Sequence, residues 1–368
     1  MGKRYAKKQA KSKKIKTIII ICLLIVVIVA GGLYCYYNKD HTKPEETYSS
    51  NSVSSKSDVK DEGKYKNPLT GLSTKEDYAK NRPYAIMINN IEQAQPLLGV
   101  SEADQMYECL VEGGITRILA VFQNPKDVRQ IGSIRSARPD FINIAQGLDA
   151  IYFHIGASVQ ADEMLKNTTI DSFNLGSYPD MMWRDQQRLN NLGTEHSALT
   201  SGQKLIDGVL NEGTRTKLKS SYTFKQKFSE SESQVLNGSS ATNITATFSF
   251  YKNTSFIYDS AENEYLIYQF GAPQMDDNAG VQNTKKNIMV LRVNSYTIDD
   301  EGHMGMDLVN SEGNGKYISS GKCIDIKWSK GSENEPIKYK TTQGKDLIMM
   351  PGQSYICAVP LTESLTIE

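Results

Sequence analysis

The sequence predicts an α+β protein: a mixed α/β N-terminal exported domain, then an all-β sandwich or barrel-like C-terminal domain, both carried behind an N-terminal transmembrane helix. Three observations predict it. An uncharged apolar run lies near the amino end, strand-like and helix-like patterns alternate between residues 67 and 228, and beyond residue 243 aromatic and β-branched residues alternate with polar ones.

Residues 1–16 contain eight Lys or Arg and no acid, which reads as a basic cytoplasmic tail. Residues 17–37, Thr17 to Tyr37, carry no charge and match the roughly 20 apolar residues that cross a bilayer as a helix. The basic flank keeps the amino side cytoplasmic, and Tyr34, Tyr36 and Tyr37 stand where an outer aromatic belt lies. This makes the segment a signal-anchor of a single-pass plasma-membrane protein, with residues 38–368 extracellular. A cleaved signal peptide is the alternative, since Ala30 to Gly32 offer small residues at cleavage spacing. Ile21 and Tyr34 precede Cys22 and Cys35 where a lipid-acceptor cysteine wants a small residue, so no lipid anchor is expected. Residues 38–66 are polar, Ser-rich and almost free of large aliphatics, the composition of a disordered stalk.

Residues 67–228 form the expected mixed domain. Strands are expected at 84–89, 106–113, 117–123 and 150–156, and helices at 139–149, 158–167 and 197–213, the last two capped by Ser158 and Ser197. Residues 229–243 read as a linker. Residues 244–368 form the expected all-β domain of about six to eight strands, among them a hairpin in "YDSAENEYLIY".

Composition excludes some functions. The chain holds 42 basic and 42 acidic residues; setting aside the eight basic ones before the span leaves 34 against 42, a net of about −8 outside. Nucleic acid is a poor partner for such a surface. Cys109, Cys323 and Cys357 are an odd number in a large exported region, so buried free thiols fit better than a disulfide framework, although Cys323 and Cys357 could pair. Neither C-x-x-C nor H-E-x-x-H occurs, which leaves a metal site without local support, and no cofactor is implied. Trp328 and the tyrosines of the second domain fit a β core better than a sugar-stacking platform.

The segment "GSIRSARPDF", Gly132 to Phe141, draws the functional reading. If Ile131 to Ile134 end a strand and Pro139 opens a helix, then Arg135, Ser136 and Arg138 sit on the connecting turn beside a positive helix end, a fit for phosphate or carboxylate. Alternatively both arginines pair with acids such as Glu112 or Asp104 and hold the domain together. Arg184 and Arg188, in the irregular-looking "WRDQQRL", join the binding candidates, and His154 and His196 are the candidate acid/base groups. The preferred function is binding of an anionic wall polymer or lipid-linked precursor, or assembly with other envelope proteins. The alternative is a hydrolase or transferase of phosphoryl or glycosyl groups, with Ser136 or Ser158 as a nucleophile or a carboxylate pair drawn from Glu112, Asp140, Asp149 and Glu195. "VEGGITR" lacks the Lys and Ser/Thr of a phosphate loop and reads as a tight turn.

Taken together, "NPLTGL", "RPYAIMINN", "ADQMYECLVEGGITRILAVF", "IGSIRSARPDF", "HIGAS", "GKYISSGKCIDIKWSK" and "PGQSYICAVP" resemble the YerB-like domain-of-unknown-function family of Gram-positive envelope proteins. The resemblance runs from Asn67 to Pro360. It implies an exported, membrane-attached protein with a mixed amino-terminal domain, a smaller carboxyl-terminal one and no settled activity. Relatives are often described as lipoproteins, and here this chain departs from them.

Overall fold

The computed structural model describes residues 63–230 and 236–368, which belong to one compact unit, Lys60–Glu368. The expected tail, span and most of the stalk lie outside the described residues, among which no helix is long and apolar enough to cross a membrane.

The amino-terminal segment supplies strands β1 (Tyr84–Asn90), β2 (Gln105–Leu110), β3 (Thr116–Phe122), β4 (Ile151–His154) and β5 (Ser172–Asn174). The carboxyl-terminal segment supplies β6 (Ser239–Ser240), β7 (Asn287–Val293), β8 (Ser311–Ser319), β9 (Lys322–Lys330), β10 (Lys338–Thr341) and β11 (Ser354–Pro360). All eleven lie in one sheet, ordered β6-β9-β8-β7-β11-β2-β3-β1-β4-β5, with β10 also on the outer edge of β9. The two segments meet where β11 runs parallel to β2, with Ser354 opposite Gln105 and Ala358 opposite Cys109. The sheet therefore crosses the boundary expected at 229–243.

Alternation along the strands fills two cores. Ile86, Ile88, Tyr355 and Cys357 face a six-stranded antiparallel-built sheet, which contributes Ile244, Phe256 and Ile267. Ala85, Met87, Ile356 and Ala358 face the opposite layer, where α1 (Pro139–Gly147) lays down Phe141, Ile142 and Ile144. Trp328 is 1% exposed and belongs to this second core. Cys109, Cys323 and Cys357 are free and buried.

A buried polar network also joins the segments. Glu108, fully buried on β2, accepts hydrogen bonds from Asn90 Nδ2 (2.8 Å), Thr116 Oγ1 (2.6 Å), Thr254 Oγ1 (2.7 Å) and the Tyr355 hydroxyl (2.8 Å), and pairs with the buried Lys252 ammonium at 3.3 Å. A buried carboxylate left without such donors is strongly destabilising. Here the donors come from both segments.

Three local expectations change. Tyr65–Lys66 pairs with Ser73–Thr74, so the end of the expected stalk is part of the fold, anchored by the buried Leu69 and by Asn67 donating to Asp104. "WRDQQRL" is regular: Trp183–Arg184 is a short strand, and Asp185 caps α3 (Gln186–Leu192) by accepting from the Arg188 amide. Ser197 is not a helix cap. Ala198–Thr200 pairs with Ile131–Gly132 and with Trp183–Arg184, and Ser201 caps α4 (Gly202–Asn211) through the Lys204 amide. Ser158 does cap α2 (Val159–Asn167), accepting from the Ala161 amide at 3.2 Å.

Candidate anion-binding site

Strands β1, β4 and β5 are mutually parallel, and their carboxyl ends bring Asn89, His154 and Asn174 to one rim. Beyond the Ile86–Phe153 pair, residues 133–137 enter between β1 and the end of β4. The Asn89 amide donates to Ser133, Arg135 to Met87, Ile155 to Arg135, and Ala137 to Gly156. Such a parting at the carboxyl ends of parallel strands is where open α/β sheets place ligands. It presents "IRSAR" at the rim, and Pro139 starts α1 directly after it.

The arginines of that segment have different fates. Arg138, 6% exposed, donates through Nε to Glu112 Oε2 at 2.9 Å and through Nη2 to Oε1 at 2.6 Å, while Nη1 donates to Ala137 O at 2.7 Å. Arg117, 2% exposed, adds a third charged bond to Glu112 Oε1 at 2.7 Å and donates to the Ser136 carbonyl. Burial raises the Glu112 carboxyl, but the Arg138 hydrogen bond and the charges of Arg117 and Arg138 outweigh it and hold the group at about 2. Burial, then the Arg138 charge, brings Arg117 down to about 9. Arg138 thus takes the pairing role with Glu112. Asp104 bonds elsewhere, to Asn67 and to the Gln123 amide.

Arg135 keeps a side chain 18% exposed and reaches one carboxylate, that of the 68% exposed Glu195, at 3.1 Å. Its Nε is buried with no hydrogen-bond partner among the described residues. Glu195 belongs to a single turn, Thr194–His196, that gathers the other candidates. Arg184 donates to Thr194 O at 2.6 Å, and Arg188 donates to His196 O at 2.8 Å and to Ala94 O and Pro96 O. Arg188 therefore ties three backbone carbonyls together, while Arg184 stays exposed at the rim.

Neither histidine is oriented by an acid. Asn89 Nδ2 lies 3.0 Å from His196 Nδ1, so Nδ1 accepts and the proton sits on Nε2. Burial lowers the proton affinity of His196, and the charge of Arg135 lowers it further, which keeps the ring neutral near pH 7. His154 lies 2.7 Å through Nδ1 from the Gly156 carbonyl, to which it donates; its Nε2 is buried without a partner among the described residues. Burial lowers its proton affinity as well.

The four acids weighed as a carboxylate pair have separate partners: Glu112 with Arg117 and Arg138, Glu195 with Arg135, Asp149 with Arg215, and Asp140 with the Met306 amide. Ser158 is taken up by its cap, and the Ser136 hydroxyl lies near Gly156. Separately, a cavity of about 370 Å³ opens beside α3, lined by Gln95, Pro96, Asp185, Arg188, Asn191 and Asp277. Sequence reasoning missed Arg117 and Asn89. The available signals were an Arg three residues after a Gly-Gly turn, in "GGITR", and two asparagines closing an apolar strand in "IMINN".

Comparison with known proteins gives two family matches. Residues 69–215 match the family described as "Protein of unknown function (DUF3048) N-terminal domain", and residues 244–356 match its C-terminal domain. The chain is 29% identical over 310 residues to "Putative lipoprotein YerB" of Bacillus subtilis (strain 168), covering 83% of this chain and 89% of that protein. It is similar in structure to the crystal structure of YerB protein from Bacillus subtilis, with a TM-score of 0.71 and 28% identity over 82% of this chain and 99% of the other.

Proposed function

We propose, for a chain that belongs to the YerB-like family, an envelope protein held at the plasma membrane by a single span at Thr17–Tyr37. Its exported part binds the anionic groups of a wall polymer or lipid-linked precursor at Arg135. The observation that carries this reading is the half-satisfied guanidinium of Arg135. It stands at the carboxyl ends of parallel strands and, among the described residues, its buried Nε has no partner and its charged partner is one exposed carboxylate. Glu195 holds the place that a ligand carboxylate or phosphate would take. The neutral His196 offers a second N–H donor close to Arg135, and the exposed Arg184 adds charge to the same turn. Arg138 has no such role, because Glu112 already occupies its fork.

The catalytic alternative needs His154 or His196 paired with an acid or a nucleophile. Their hydrogen bonds run instead to Gly156 O and Asn89 Nδ2.

Binding of a poly(glycerol phosphate) chain by the full-length protein in detergent micelles tests the reading. A charge-assisted hydrogen bond contributes about 1.5–3 kcal/mol, so Arg135→Ala should weaken binding by roughly tenfold to a hundredfold. Glu195→Ala should strengthen binding by removing the internal competitor. A wild type that does not bind, or an Arg135→Ala protein that binds equally well, overturns the proposal. Protease added to intact protoplasts tests the topology: nearly everything beyond Tyr37 should be digested, and full protection would refute it.

A further inference from the structure

Away from the anion site, a hairpin of the carboxyl-terminal segment, Ser295–Thr297 with Met304–Met306, carries the loop "IDDEGH". Within it, His303 Nδ1 lies 2.7 Å from Asp299 Oδ2 and 3.8 Å from Glu301 Oε2. One ligand atom from each of these three side chains lies within 4.8 Å of the others. We propose that Asp299, Glu301 and His303 bind a borderline divalent ion of the zinc class, through one imidazole nitrogen and two carboxylates.

The geometry suits such an ion. With zinc–nitrogen and zinc–oxygen bonds of about 2.0–2.2 Å, ligand atoms stand about 3.3–3.6 Å apart in a tetrahedron. The 2.7 and 3.8 Å separations straddle that spacing and all three ligand atoms lie within 4.8 Å of one another, so side-chain rotation of the exposed Glu301 admits the ion, with water completing its shell. Glu301, 75% exposed, is free to make the adjustment.

An Asp-closed loop without metal needs only part of this arrangement. Asp299 Oδ1 accepts from the Glu301 and His303 amides, both at 3.0 Å, which accounts for the turn but leaves Glu301's carboxylate unused beside the imidazole. A separate element then positions Asp299. Gln160 of α2, 139 residues away in sequence, donates through Nε2 to Asp299 Oδ2 at 2.6 Å, as outer-shell partners do to metal-binding carboxylates. The same hairpin reaches α1, where the Met306 amide donates to Asp140 at 3.3 Å. An ion bound at the loop would fasten the hairpin onto the layer that carries both helices. Calcium and magnesium, which take six or more oxygen ligands or keep their water, suit three ligand atoms with a nitrogen among them poorly.

The site is independent of the anion-binding reading, and its test is separate. Titration calorimetry of the full-length protein with zinc chloride should show about one ion bound per chain, with His303→Ala weakening it by tenfold or more. Glu301→Gln should also weaken it, and calcium chloride should give no comparable heat. Thermal melting checks that each variant is folded; should His303→Ala fail to fold, the exposed Glu301→Gln decides. Absence of zinc uptake by the wild type overturns the assignment. So does unchanged affinity in a folded His303→Ala protein, or in Glu301→Gln.

Discussion

Arg135 and Arg138 stand three residues apart on one turn, yet Arg138 is sealed and saturated while Arg135 is partly open and holds a single exposed acid. Residue type and spacing treat them as equals. What separates them is whether the fold delivers a carboxylate before a ligand can. The turn between β2 and β3 brings Glu112 and Arg117 against Arg138, and two arginines of 2% and 7% side-chain exposure share one acid. Arg135 faces the loop Thr194–His196, where the acid is hydrated and free to leave. The lesson is that an arginine is available for function when the carboxylate it holds is one that water can replace, rather than one already shared between buried arginines.

The largest test of that comparison is Glu112→Ala, which leaves Arg117 and Arg138 buried without their common counter-charge. Breaking a buried ion pair from one side costs about 3–5 kcal/mol, and a denaturant midpoint should fall accordingly. A loss below about 1 kcal/mol, the range of exposed pairs, would mean that this cluster is as solvated as the other. The same cluster sets an acid dependence. The Glu112 carboxyl is held at about 2, below its unfolded value of about 4.3, so its contribution is present above the unfolded value and disappears as pH falls toward 2. Wild type should therefore lose stability between about pH 4.5 and 2 more steeply than Glu112→Gln, with the difference curve isolating this one group. Parallel curves would contradict the depressed carboxyl.

Arg138→Ala should cost less than loss of Glu112, because Arg117 remains to neutralise the acid. Three hydrogen bonds of the guanidinium disappear, two to Glu112 and one to the Ala137 carbonyl, but no buried charge is stranded, so the loss should stay below the about 3–5 kcal/mol of a buried charge left unpaired. Arg138→Lys should recover only part of it, since an ammonium cannot reproduce the two-pronged contact with Glu112.

Much of the fold was legible where local pattern and tertiary role agree. Tyr84–Asn90, Thr116–Phe122 and Ile151–His154 appear as strands within a residue or two of their expected bounds, and Pro139 and Ser158 open helices as their chemistry requires. Ser197 is not the cap because Ala198–Thr200 pairs with two neighbouring strands, which moves the helix start to Ser201. The junction of β2 with β11 was not legible, because a parallel pair between residues about 250 apart leaves no short-range mark. One hint existed: "SYICAVP" is buried at every position, which fits a strand covered on both faces better than the wall of an isolated sandwich. For the site, sequence placed Arg135, His196, Arg184 and Arg188 on the candidate list, and the Thr194–His196 turn brings them together. It could not say that Arg138 was already occupied, since the Glu112 contact depends on a turn closing 26 residues away.

The smallest expected effect is the most informative about function. Arg135→Ala removes one contact to a carboxylate that is 68% exposed, and such pairs contribute about 0–1 kcal/mol because water solvates the acid left behind. It also removes a buried Nε that has no partner among the described residues, so no hydrogen bond of that atom is lost. The denaturant midpoint should therefore stay within about 0.5 kcal/mol of wild type, the usual range for surface substitutions. Raising the salt concentration should shrink that small difference further and also weaken anion binding by the wild type, because both rest on accessible charges, which salt screens. If Arg135→Ala instead costs as much as Arg138→Ala, both arginines are structural. The proposed site would then lose its cation, whatever the polymer assay with other variants shows.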